Sequence, residues 1–370
     1  MANPFQKLFH LGATDLWQKK ENRVVGLDIG NSSAKAVQLR RENGRAILET
    51  YGEIALGPYG DLAVGQVTNL GVPKIVELLR DLFTEANVNA KAISLAIPLR
   101  SSLLIIMELP DVGRGKLEKI VPIEARKYIP VPISEVELDW WVIPRVSEAK
   151  EAAPREKVEV LLAAIHHEIL GQYAEVLKTL ERTASFFEIE TFSSLRSVFG
   201  GDLSPTVIID LGAGTTKMAI VDYGVVRLSH TISKGAQDIT LSIARSLGVP
   251  FDKAEEIKRQ VGLVETVEGE RVTGLVSTII EYIFSEVTKV LTIYQRKQGR
   301  AISKIVLIGG GALLKGLLDA AGRSFEVPVT IGNPFAQVEY PAFLDTVLKS
   351  SGPGFAAAMG LALRELEELG

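Results

Sequence analysis

Val24-Val25-Gly26-Leu27-Asp28-Ile29-Gly30-Asn31-Ser32-Ser33-Ala34-Lys35 is echoed later in the same chain by Thr206-Val207-Ile208-Ile209-Asp210-Leu211-Gly212-Ala213-Gly214-Thr215-Thr216-Lys217. Each copy is an apolar run that ends in Asp-(Ile/Leu)-Gly, passes through small and hydroxyl residues to a lysine, and resumes as a second apolar run, Ala36-Val37-Gln38-Leu39 or Met218-Ala219-Ile220-Val221. Internal repetition outranks other signals of fold. Strand, glycine-bearing turn, strand is the pattern of a β-hairpin. Glycine lets a backbone approach a ligand and turn its amides outward. An aspartate at the strand end can hold a hydrated divalent cation. Two such hairpins facing each other would grip the phosphates of a nucleotide from both sides, with Mg²⁺ between them.

A third glycine element follows the apolar run Lys304-Ile305-Val306-Leu307-Ile308. It reads Gly309-Gly310-Gly311-Ala312-Leu313-Leu314-Lys315-Gly316 and is expected to enter a helix. It is not a dinucleotide fingerprint, because Leu314 occupies the third glycine position. There is no Walker-type loop: Gly115-Lys116 is followed by Leu117, and Pro110 stands where the first glycine belongs. Further on, 239–247 reads as a helix stopped by Gly248-Val249-Pro250, and a second helix opens at Phe251 with Asp252 as its expected N-cap. Glu255 and Lys258 share one face of that helix.

The 370 residues suit two lobes rather than one small domain. With 46% apolar and 23% charged residues the chain can build packed cores. A formal charge of -4 argues against nonspecific nucleic-acid binding. Cysteine is absent, which fits a reducing compartment. The most apolar run, 93–110, is interrupted by Pro98, Arg100 and Glu108, whereas a membrane span needs about 20 uninterrupted apolar residues. Residues 1–22 lack the apolar core of a signal peptide. They read as a tail, with Phe5, Leu8, Phe9, Leu16 and Trp17 able to line one side of a docking helix. His10, His166, His167 and His230 show no metal-ligand spacing.

The order of these elements resembles the superfamily of actin, hexokinase-type sugar kinases and the large heat-shock chaperones. Asp28 to Lys35 resembles its first phosphate loop, Asp210 to Lys217 the second, and Gly309 to Ala312 the adenosine loop. Ala254-Glu255-x-x-Lys258 resembles the segment that reaches ribose and adenine, and 354–362 the small-residue helix that closes the hinge. Between the two phosphate loops, Met107-Glu108-Leu109-Pro110, Glu124-Ala125-Arg126-Lys127-Tyr128-Ile129-Pro130-Val131-Pro132, Glu137-Leu138-Asp139 and the run 160–165 resemble the PilM family of type IV pilus assembly proteins. The residues themselves suggest a compact α/β insertion. They fit a helix over 116–128, strands over 138–144 and 157–165, a charged hairpin loop over 147–157, and a following helix over 168–182.

The resemblance implies an α/β, actin-like two-lobed fold of duplicated ribonuclease-H-like domains with an inserted 1C-type α/β subdomain. The expected boundaries are a tail at 1–22, subdomain 1A at 23–90, the 1C insertion at 91–183 and a connecting helix at 184–204. Subdomain 2A follows at 205–235 and resumes at 303–334, around 2B at 236–302, and 335–370 closes 1A.

The ligands implied are ATP and Mg²⁺, the metal held through water by Asp28 and Asp210. Gly30, Asn31, Ser32, Ser33 and Lys35 would take one side of the phosphates, and Gly212, Gly214, Thr215 and Thr216 the other. Glu255 and Lys258 would meet ribose and base, and Gly309, Gly310, Gly311 and Ala312 the adenosine. Lys217 repeats the Lys35 pattern without being assigned as a ligand. Glu190 is the candidate to orient an attacking water in what is at most a slow ATPase.

The implied partner is the N-terminal cytoplasmic tail of a PilN-like inner-membrane protein, which would hold the chain at the inner face of the membrane without insertion. Oligomer or filament formation stays open. An FtsA-like cell-division protein is the alternative. The acidic end Arg364-Glu365-Leu366-Glu367-Glu368-Leu369-Gly370 suits an anionic membrane poorly and favours the PilM-like reading. A related secretion or DNA-uptake role stays open. A sugar or metabolite kinase would need a catalytic aspartate and a sugar pocket that no segment resembles.

Overall fold

The structure, a computed structural model, describes residues 22–144, 157–264 and 270–369. The expected N-terminal docking segment and nearly all of the charged loop at 147–157 lie outside the described residues.

The first lobe opens with strands β1 (Arg23–Ile29), β2 (Ser33–Glu42) and β3 (Arg45–Ala55), followed by helix α1 (Val72–Glu85) and β4 (Ala92–Ile97). An inserted unit then comprises β5 (Ser102–Pro110), α2 (Arg114–Ala125), β6 (Val136–Val142) and β7 (Lys157–His166). The chain returns through α3 (His167–Thr179), β8 (Thr183–Ile189) and α4 (Glu190–Val198). The second lobe contains β9 (Thr206–Leu211), β10 (Thr216–Asp222), β11 (Val225–Ile232), α5 (Ala236–Leu247), α6 (Phe251–Val261) and α7 (Glu270–Gln298). It ends with β12 (Lys304–Ile308), α8 (Leu317–Ser324) and β13 (Val329–Ile331), after which α9 (Asp345–Ser351) and α10 (Ala356–Glu368) close the chain.

The two five-stranded sheets share one topology, β3-β2-β1-β4-β8 and β11-β10-β9-β12-β13. In each, the first three strands are antiparallel and the last two run parallel to the first. The repeat in sequence is therefore a repeat in space. The hairpin registers match as well, with Asp28 opposite Lys35 and Asp210 opposite Lys217.

The insertion is a separate three-stranded antiparallel sheet in the order β5-β7-β6. Over residues 160–165 its central strand reads as an unbroken apolar run because both faces are covered. Val160, Leu162 and Ala164 pack with Leu117, Val121 and Ala125 of α2, while Leu161, Ala163 and Ile165 join the core of the first lobe. The insertion is narrower than the expected 91–183, since β4 pairs with β1 and β8, and α3 packs on α1 and β8. Parallel pairing joins residues far apart in the chain, and no local pattern announces it. Two local expectations also shift. Helix α6 begins at Phe251 with Pro250 as its N-cap, which leaves Asp252 inside the first turn. The closing helix, expected over 354–362, runs on to Glu368 and buries Arg364 and Glu365 of the acidic end.

Helix α10 is held by close approach and by charge. A Cβ on Gly26 of β1 would lie 1.9 Å from the Ala358 carbonyl oxygen, and one on Gly360 would lie 1.7 Å from that of Ser193 in α4. Only glycine lets these backbones touch. Beneath the helix, Glu188 accepts two hydrogen bonds from Arg196, each 2.8 Å, and one of 2.8 Å from Arg364, whose guanidinium lies 4.1 Å from the Phe186 ring centroid. Glu365 accepts from the hydroxyls of Ser94 and Ser185.

Gly360→Ala should therefore lower stability by about 3 kcal/mol, read as a lower midpoint in urea, because neither backbone can move aside without opening the α10–α4 contact. Burial raises the Glu365 carboxyl above its ordinary 4.5, against the lowering effect of its two serine donors. A carboxyl raised on folding contributes stability at low pH that is lost as pH climbs through the raised value. Urea titrations of Glu365→Gln from pH 4 to 7 should accordingly show the variant gaining on the parent chain as pH rises; a constant difference would refute this.

Candidate functional site

Between the lobes lies a cavity of ≈ 480 Å³, within the range of nucleotide and cofactor sites. Its floor is made by the two repeated hairpins. In the first turn the Gly30 amide donates to the Ser33 carbonyl at 3.0 Å, and in the second the Gly212 amide donates to the Thr215 carbonyl at 3.1 Å. The same turn closes both, which leaves Asn31, Ser32 and Ala213 at the cavity surface.

Asp28, Gly30, Asn31, Ser32, Ser33 and Lys35 line the cavity from the first lobe. Asp210, Gly212, Thr215 and Lys217 line it from the second. Glu190, Glu255, Lys258 and Gly309, Gly310 and Gly311 complete the expected set found there. Three expected residues stand elsewhere. Thr216 points away, its hydroxyl donating to the Lys234 carbonyl at 2.9 Å, because neighbouring strand residues face opposite sides. Ala312 is buried in the core of the second lobe. Gly214 is taken up by contact between the hairpins: a Cβ there would sit 2.7 Å from Asn31 Nδ2.

The third glycine element fits its place tightly. Gly309 has φ +82°, and a Cβ there would lie 2.3 Å from Asp210 Oδ1. Its amide donates to the Pro353 carbonyl at 2.9 Å, which ties this loop to the closing segment. The turn leads first into one turn of 3₁₀ helix, Gly310–Leu313, and only then into α8.

The equivalent lysines differ in role. Lys35 donates to Ser33 Oγ at 2.6 Å and pairs with Glu53 Oε1 at 3.0 Å, all within its own lobe. Lys217 crosses the cleft, 2.9 Å from Asp210 Oδ2 and 2.6 Å from Glu190 Oε2. Burial alone would lower the Lys217 pKa, but the two carboxylates outweigh it and hold the ammonium charged well above the usual range. The other oxygen of Glu190 accepts the Leu99 amide at 2.7 Å. Burial, with the nearby Glu190 charge, pushes Asp28 up to about 6. On the far wall Lys258 lies 2.6 Å from Glu255, which also accepts from Thr240 at 2.7 Å and from Arg259 at 2.9 Å. Burial pulls Lys258 below its usual range, with Glu255 only partly offsetting it.

Sequence reading missed Glu53, Arg100, Gln237, Arg259 and Pro353, all on the cavity wall. It also missed a connection across the cleft: Val67, in the loop between β3 and α1, donates to Gln237 Oε1 at 2.6 Å. Only the glycine richness of 57–71 hinted at a loop, and nothing in it marked the lobe it would touch. Among the described residues, the cavity wall carries five cations (Lys35, Arg100, Lys217, Lys258, Arg259) against five carboxylates (Asp28, Glu53, Glu190, Asp210, Glu255).

The family model "Type IV pilus assembly protein PilM" matches residues 26–366. A solved structure of a PilM-PilN type IV pilus biogenesis complex superposes with TM-score 0.77 at 25% identity, covering 93% of this chain and 98% of that one. MreB 5 of Spiroplasma citri bound to AMPPNP superposes with TM-score 0.51 at 15% identity, covering 95% and 98%, a likeness of fold. The cell division protein FtsA of Neisseria meningitidis is 31% identical over 175 residues, 42% of this chain, so the match spans only 41% of that relative. No helix among the described residues is long and apolar enough to cross a membrane. The two-lobed α/β fold is the actin-like one that the repeat pointed to, and with the family model matched over residues 26–366 the chain belongs to the PilM family of type IV pilus assembly proteins.

Proposed function

We propose that this chain is a cytoplasmic, ATP-binding adaptor of type IV pilus assembly that captures the N-terminal cytoplasmic tail of a PilN-like inner-membrane protein. The observation that carries the nucleotide reading is the pair of matched hairpins presenting Asp28 and Asp210, with their glycine turns, to one cavity. The partner reading is supported by family membership and by the similar structure being a complex with PilN. The insertion, with its own sheet and helix, is the module nearest in kind to a peptide-binding unit. The FtsA likeness covers two fifths of the chain whereas the PilM model covers nearly all of it, which favours the pilus role over cell division.

The wall charges balance, so a polyphosphate brings uncompensated negative charge into the cleft. The donor set fits Mg²⁺: Asp28 and Asp210 would hold its water shell, and the metal would supply the missing positive charge. The turns at Gly30–Ser33 and Gly212–Thr215 would direct amides and hydroxyls at the phosphates. Gly309 to Gly311 would give the adenosine a flat wall, with Glu255 and Lys258 at ribose and base. Both oxygens of Glu190 are already engaged, one by Leu99 and one by Lys217. A water could be oriented by Glu190 only after one of these contacts opens, which suits slow turnover and a nucleotide that acts mainly as a clamp between lobes.

Calorimetry with Mg·ATP should show micromolar or tighter binding, weakened about tenfold or more by Asp28→Ala and by Asp210→Ala. Replacing Mg²⁺ with EDTA should cause a comparable loss. Absence of binding by the parent chain would end the nucleotide reading. If tail peptides from PilN-like proteins bind neither the free nor the ATP-loaded chain, the adaptor reading falls.

A further inference from the structure

Resting on the ATP-binding reading above, we propose that Arg100 reads the terminal phosphate: its guanidinium engages the third phosphate of a bound nucleoside triphosphate and makes the site prefer tri- over diphosphates.

Arg100 sits in a single 3₁₀ turn, Leu99–Ser101, between β4 and β5. It lines the cavity and is exposed within it. The other wall cations are all paired with carboxylates: Lys35 with Glu53, Lys217 with Asp210 and Glu190, and Lys258 and Arg259 both with Glu255. Among the described residues Arg100 alone of the five has neither an ion pair nor a hydrogen bond from its side chain. Its backbone is nonetheless held. The Leu99 amide is bound to Glu190 at 2.7 Å, the Ser101 amide donates to the Pro98 carbonyl at 2.9 Å, and Ser102 Oγ donates to the Leu99 carbonyl at 3.1 Å. The fixed backbone keeps this unpartnered cation at the cavity wall, so an anion can take up its charge without breaking an existing ion pair.

Its position selects the phosphate. Arg100 belongs to the Asp28–Glu190 end of the cleft: the amide of its neighbour Leu99 binds Glu190 at 2.7 Å, and Asp28, Arg100 and Glu190 line one cavity. With the nucleoside against Glu255, Lys258 and the Gly309 loop, the phosphate chain runs toward that end and its last group arrives there. A guanidinium matches a phosphate with two parallel hydrogen bonds, whereas a lysine offers only a point charge. A diphosphate ends one group short and leaves Arg100 in water, at little cost.

The test is calorimetric titration of the full chain with Mg·ATP and with Mg·ADP, for the parent, Arg100→Ala and Arg100→Lys. Arg100→Ala should weaken Mg·ATP about tenfold or more and leave Mg·ADP within about twofold, with Arg100→Lys between. The thermal midpoint without nucleotide should not move, since the side chain holds nothing in the fold. Equal weakening of both nucleotides would overturn the inference, and so would no change in either. A parent chain that binds neither nucleotide would overturn the ATP reading itself, a result distinct from those two because it appears before any substitution.

Discussion

Lys217 stands between Asp210 of its own lobe and Glu190 of the other, and much of the molecule is arranged around that placement. A charge taken out of water is tolerated only when partners replace its hydration. Here the partners come from both lobes, so keeping the ammonium satisfied and keeping the lobes at their present angle are one requirement. Glu190 passes the constraint on through its second oxygen, which holds the Leu99 amide at the root of the insertion. The two ion pairs of Lys217 and the hydrogen bond of Glu190 thus link the second hairpin, helix α4 and the turn that leads into β5. Removing the lysine would leave two carboxylates facing each other across the cleft floor.

A second set of contacts keeps the lobes from parting completely. The core cluster of the first lobe extends across to Ile208, Val221, Val226 and Ile308 on one face of the second sheet. Apolar contact there has no preferred direction, so it can tolerate small changes of lobe angle that the Lys217 pair would resist. The insertion also touches the second lobe, where Arg227 of β11 meets Glu159 of β7 at 2.6 Å. The insertion is therefore tied to both sides of the cleft between the lobes, and a change of angle between lobes must strain or release it.

The framework underneath is set by missing side chains as much as by present ones. Gly26 and Gly360 let α10 lie directly on β1 and α4, and Gly309 lets the third loop lie against Asp210. These glycines sit in a strand, a helix and a turn with no common sequence pattern. What unites them is that a second backbone occupies the space of their Cβ. The arginine and glutamate networks around Glu188 and Glu365 lie at the same helix, so that its polar face is satisfied where its small residues make contact.

By itself the sequence determined the repeated hairpins, since a β-hairpin is made by neighbours in the chain: Asp28 and Lys35, like Asp210 and Lys217, pair within one turn, and their spacing alone places them opposite each other. It also carried the two-lobed duplication and the glycine loop after β12, whereas the first residues of the connecting helix expected at 184–204 belong to strand β8. Strand alternation turns Thr216 away from the cavity that Thr215 lines, a distinction that the shared hydroxyl character of the two residues hides. Only the tertiary structure decided where the insertion begins, because β4 is a strand of the first lobe through parallel pairing with residues remote in sequence. Only it turned Lys217 into a bridge between lobes, buried Arg364 and Glu365, and gathered Glu53, Arg100, Gln237 and Arg259 around one cavity. Those facts depend on which distant surfaces meet, and a residue's own neighbours carry no record of that.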